Sequence, residues 1–159
     1  MRPLGTCVIA AILSLGLASQ ALADEKFDPK QVRVITPTTS TSKCIGDPKT
    51  PICAVETFLA CRVRNKQELC DLVNIHNESL DGEPTSISYR ILKSHILTKR
   101  DIPKDMADFP TWKIGYSDVA IKDYSLKQDW CPKGCTIGFS LRPSASGWKI
   151  LEYVMEGVD

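Results

Sequence analysis

The chain has 159 residues, with 20 basic and 19 acidic side chains and a net charge of +1. That balance removes the electrostatic argument for nucleic acid and for strong attachment to an anionic membrane surface. The length fits one domain with a real core.

Residues 1 to 23 read as a secretory signal. Arg2 is the only charge before Asp24, and an apolar run of roughly a dozen residues follows from Cys7 to Ala18. A spanning helix needs about 20 apolar residues. Ala21-Leu22-Ala23 has the small-x-small pattern that a signal peptidase cuts, so cleavage is expected after Ala23. The mature chain would then lose Arg2, leaving 19 basic residues against 19 acidic ones. It would carry no stable membrane anchor, and it is expected in the periplasm or secreted. Asp24 to Lys43 reads as a mobile N-terminal arm. "QVRVI" within it is a short strand or an extended segment, and "TPTTSTS" has linker composition. Residues 44–159 form a single domain.

Six cysteines remain after the signal: Cys44, Cys53, Cys61, Cys70, Cys131 and Cys135. An even number in an oxidising compartment implies disulfides, and 15 pairings are open to six cysteines. "DPKTPICAVETFLACRVRNKQELCDLVN" predicts a helix with Thr50 as N-cap and Pro51 at the first position. Ile52, Val55, Phe58, Leu59 and Val63 recur at helical spacing. Asn65 is expected to end it and to cap a second helix, with Glu68 in a capping-box position. In one continuous helix Cys61 and Cys70 would lie about 13 Å apart along the axis, too far for a disulfide. A break at Asn65 brings them together, so 61–70 is favoured. Pairing 44–53 would tie the Gly/Pro-rich lead-in to the first turn. Cys131 and Cys135 flank Pro132-Lys133-Gly134, a turn sequence, and 131–135 is favoured as a staple. A reactive disulfide and a zinc clip are the alternatives there. Three intervening residues are one more than the thioredoxin-type spacing, and no second ligand pair stands at zinc spacing. No metal and no cofactor are expected.

"HNESLDGEP" is a loop that contains the glycosylation sequon at Asn77 to Ser79. Four strands are expected after it. "SISYRILKSHIL" places Ile87, Tyr89 and Ile91 on one face. "WKIGYSDVAIKDY" alternates from Trp112, and its shift at Val119 predicts a bulge near Ser117-Asp118. "CTIGFSLR" turns Ile137, Phe139 and Leu141 inward. "GWKILEYVM" is apolar on both faces and reads as a central, covered strand. "TKRDIPKDMADFP" is a long connection of the kind often used for function. It carries Lys99, Arg100 and Lys104, a candidate patch for an anionic partner. Helices with one apolar face each, packed on a four-stranded antiparallel sheet, make a two-layer α+β domain.

Ala54-Val55, Phe58-Leu59, Ala60 and Asn65 in the opening helix, and Gly147-Trp148, Lys149-Ile150 in the closing strand, resemble the nuclear-transport-factor-like and ketosteroid-isomerase-like superfamily over about residues 51–155. That resemblance implies a cystatin-like roll in which a helical pair packs on a curved sheet and the inner sheet face lines a pocket. Members of that kind with isomerase or dehydratase activity pair a carboxylate base with a hydrogen-bond donor. Asp118, Asp123, Tyr89, Tyr116 and Tyr124 have the right chemistry, but no spacing marks a dyad. His76 and His95 stand apart from other ligands. The preferred reading is a non-enzymatic module that binds an unidentified protein or small molecule, with a homodimer also open to it. The alternative is a small-pocket isomerase or dehydratase.

Overall fold

The computed structural model describes residues 24–76 and 84–156. The expected signal peptide and the sequon lie outside the described residues. Elements follow in the order β1 (Val32–Ile35), α1 (Pro51–Arg64), α2 (Gln67–Asp71), β2 (Ile87–Ile96), β3 (Ser117–Asp123), β4 (Cys135–Arg142) and β5 (Lys149–Glu156). The strands form one antiparallel sheet in the order β1-β2-β3-β4-β5. The class is α+β, as expected. The strand count is corrected from four to five, because "VRVI" from the segment assigned to the arm pairs with β2 in the register Val32↔Arg90 to Ile35↔Ile87.

Thr50 caps α1, accepting the Cys53 N–H at 3.2 Å, and Pro51 opens the helix. Asn65, at φ 50°, ends it in the left-handed region. Asn65 does not cap α2, whose N-cap is Lys66. The turn brings Cys61 and Cys70 to a Cα–Cα distance of 5.4 Å, and the disulfides are 44–53, 61–70 and 131–135.

Helix α1 was expected to have one apolar face. Instead it is buried nearly all round. The sheet covers one side, where Val55, Phe58 and Leu59 share a core with Ile87, Ile91, Ile121, Phe139 and Ile150. The lead-in and α2, each held by a disulfide, cover the rest; the Gly46 N–H donates to Thr57 Oγ1 at 3.0 Å.

Two strand readings need correction. Trp112 to Tyr116 belong to a connection rather than to β3, which starts at Ser117. The bulge lies on β2, between Ile91 and Lys93, not near Ser117. Leu92 is the extra residue, and the inward positions shift from Ile91 to Ser94 and Ile96. Second, β5 is an edge strand, not a central one. Apolar alternation shows which faces a strand can cover, but strand order comes from the path of the whole chain. Among the described residues no helix is long and apolar enough to cross a membrane.

Candidate functional site

The connection from Leu97 to Tyr116 leaves β2 and re-enters the sheet at β3. Its neck is closed by backbone bonds, Leu97 N–H to Tyr116 O at 2.7 Å and Gly115 N–H to Leu97 O at 2.8 Å. Loops with joined ends and internal turns hold a defined shape. Inside it, Thr98 donates to Asp101 Oδ2 through its N–H at 2.7 Å and its hydroxyl at 2.5 Å. A 3₁₀ turn spans Lys104–Met106, and Lys113 Nζ donates to Ala107 O at 3.0 Å.

These turns enclose a cleft of about 550 Å³, within the range of small-molecule sites. Ile102, Pro103, Ala107, Trp112 and Ile114 form its apolar walls, and Lys99, Lys104 and Lys113 stand around it. Ile114 is 65% exposed, an unusual position for a large aliphatic side chain. Of the expected anionic-partner patch, Lys99 and Lys104 line this cleft and Arg100 does not. Lys99, Arg100 and Lys104 make no ion pair among the described residues.

Trp112 also walls a second cleft, of about 350 Å³, against the outer sheet face. Here the register aligns His95↔Asp118, Asp118↔Ser140 and Ser140↔Glu152 in one row across four strands. Asp118 is held by Lys93 Nζ at 2.7 Å.

His95 ties the loop to the chain's first described residue. Its Nδ1 lies 3.0 Å from Asp24 Oδ2 and its Nε2 3.1 Å from Asp101 Oδ2. Asp24 Oδ1 also accepts the Ile96 N–H at 2.6 Å. The hydrogen bonds to Asp101 and then to Asp24 raise the His95 pKa above its ordinary 6.5. The Ile96 N–H and then His95 lower that of Asp24; the Thr98 hydroxyl and N–H, followed by His95, lower that of Asp101. The signs are opposite at the two ends of the pH scale. The carboxylate contribution is present above the ordinary carboxylate range and lost in acid. The histidine contribution is present below 6.5 and lost as pH rises through the raised value. In a chain beginning at Asp24, the melting temperature is therefore expected to fall more from about pH 6 to about pH 9 than it does in His95→Gln. Equal falls in the two proteins would show that the latch contributes nothing.

The buried carboxylate was not singled out from the sequence. Glu56, 1% exposed, receives Arg33 Nη1 at 2.5 Å and the Tyr89 hydroxyl at 2.6 Å, and Ser42 Oγ also donates to it. Burial and then the Glu56 charge push the Tyr89 pKa far up, so the phenol stays a donor. Arg33 and Tyr89 are cross-strand partners in β1–β2, which aims both at one spot on α1. The signal was present in "CAVETFLAC": one acid inside a helix apolar on every side. Asp123, also buried, accepts from Ser125 and the Leu126 N–H, holding the turn after β3. The structure does not bring Asp118, Asp123 and the tyrosines together as a dyad: Asp118 is paired with Lys93, and Tyr89 with Glu56. His76 sits 3.1 Å from Asp71 on the surface. Among the described residues no group of three or more His, Cys, Asp or Glu side chains is placed to hold a metal. No family model, no curated protein and no solved structure matches the chain.

Proposed function

We propose that this disulfide-stabilised α+β domain is an exported binding module, and that the 97–116 cleft takes a small organic anion with an apolar body. The observation that carries the reading is the pairing of an exposed apolar cleft with three lysines in one loop, none of them with an ion-pair partner among the described residues. Apolar walls contribute affinity by removing ligand surface from water, and the lysines select a negative end. Export is supported by the three disulfides, which need an oxidising compartment. Kinship with the nuclear-transport-factor-like superfamily remains part of the proposal. Its support is that the opening helix and closing strand share one core, with Val55 and Phe58 alongside Trp148 and Ile150. The isomerase reading needs an available carboxylate in an apolar pocket. Both carboxylates buried among the described residues are already taken, Glu56 by Arg33, Tyr89 and Ser42, and Asp123 by Ser125 and the Leu126 N–H.

Dodecanoate, titrated below its micelle concentration against the chain beginning at Asp24, is the direct probe. Trp112 fluorescence is expected to change saturably and to lose that change in Trp112→Phe. Dodecanol is expected to bind at least about tenfold more weakly, and Lys99→Glu/Lys104→Glu to weaken dodecanoate by a similar factor. Indifference to the head-group charge or to both lysines would sink the proposal, as would no binding at all.

A further inference from the structure

The sheet has two edges, and the chain treats them differently. The outer side of β1 is closed by the protein itself. The Thr41 N–H donates to Val34 O at 3.1 Å, the Val34 N–H to Thr41 Oγ1 at 3.0 Å, and Ile35 bridges Ser40. On β5 such protection stops early. The Trp148 N–H donates to Pro48 O at 2.7 Å and the Ile150 N–H to Val73 O at 2.9 Å. Beyond Ile150, no strand follows β5 on its outer side among the described residues.

The open part carries few of the usual edge safeguards, with Glu152 its one charge before Glu156. Ile150 to Met155 contains neither proline nor lysine. The strand's bulge, between Ser140 and Leu141 in the β4 register, falls at its start. Glu152, Tyr153, Val154 and Met155 then pair one-for-one with Ser140, Phe139, Gly138 and Ile137. Val154 and Met155, on opposite faces, are each 53% exposed. Tyr153 stays on the helix face, its ring 5.0 Å from that of Phe58 and 5.9 Å from that of Phe139.

We infer that β5 is a homodimerisation edge, pairing antiparallel with β5 of a second copy across a two-fold axis normal to the sheet. An edge strand calls for another strand, and a two-fold lets one surface satisfy itself. From Asp24 onward 19 basic residues balance 19 acidic ones, which puts no long-range repulsion between copies. The register follows from charge. Setting Glu152 opposite Val154 of the second copy keeps acids apart. Sliding by two residues in either direction sets Glu152 opposite another acid, Glu152 or Glu156. The result is a continuous ten-stranded sheet with both α1 helices on one face. This inference is independent of the ligand proposed for the loop cleft.

Sedimentation and light scattering on the disulfide-bonded chain from Asp24 to Asp159, over a wide concentration range, test it. The mass is expected to move from monomer to dimer, with hydrogen exchange in β5 slowing as it does. Val154→Glu, facing Glu152, is expected to weaken association by about tenfold or more; Val154→Lys, facing the same acid, is expected to retain it. Val154 is exposed, and the circular dichroism of both variants checks that they fold. A monomer at every concentration overturns the proposal and leaves the edge to a foreign strand. So does a dimer that ignores Val154→Glu and leaves β5 exchange unchanged.

Discussion

Replacing Glu56 with alanine is expected to remove about 3–5 kcal/mol of stability, the largest effect of any single substitution considered for this domain. The carboxylate is where four segments meet: α1 supplies it, β1 brings Arg33, β2 brings Tyr89 and the lead-in brings Ser42. Cys44 Sγ lies 3.4 Å away, so the 44–53 disulfide packs against the same group. Alanine would leave a guanidinium, itself only 18% exposed, and a buried phenol without their acceptor. Against a typical total of about 5–15 kcal/mol, that loss is large. Urea unfolding followed through buried Trp148 would show it as a lower midpoint with an unchanged slope. Glu56→Gln keeps an acceptor oxygen and should lose less. Arg33→Met/Glu56→Leu/Tyr89→Phe, which also removes the phenol that would be left without an acceptor, should recover much of the loss, because buried ion pairs often break even against apolar residues of similar volume. A Glu56→Ala loss below about 1 kcal/mol would mean that the network is incidental to the fold.

Gly147→Ala is expected to cost about 2–3 kcal/mol, from backbone strain plus a weakened hydrogen bond. Gly147 has φ +102°, and a Cβ there would stand 2.5 Å from Pro48 O. That same carbonyl accepts the Trp148 N–H, so moving it aside would loosen the tie between the lead-in and the start of β5. Gly46 provides the comparison. Its φ is +85°, but a Cβ there would meet only Leu69 Cδ2, at 3.7 Å. Gly46→Ala should therefore show the strain without the clash and cost less. If the two variants melt alike, close packing at Gly147 contributes nothing.

Much of the local structure was legible in the residues. Thr50-Pro51 started α1 and Asn65 ended it, because a hydroxyl cap, a fixed φ and a tolerated left-handed turn act over a few bonds. The 61–70 pairing followed from that break, since the axial rise of a helix sets how far two cysteines can be apart. Inward positions on β4 followed from alternation alone. The cleft was half legible: Lys99 and Lys104 stood out as charge in a long connection. Trp112 and Ile114, its apolar walls, read as strand because period-two alternation is also what a folded loop can show by chance.

What the chain by itself determined, then, is where helices and turns begin and end, which cysteines can meet and which side of β4 is greasy. These depend on interactions among near neighbours. Tertiary structure alone decided that "VRVI" joins the sheet, that β5 lies at its edge, and that Glu56, Arg33, Tyr89 and Ser42 converge. The Glu56 contacts join groups 14 to 33 positions apart in sequence, and the β1–β2 pairs join residues 52 to 58 apart. A buried carboxylate gives no sign in one dimension of the partners that make its burial tolerable, and a strand gives no sign of which neighbour it lacks.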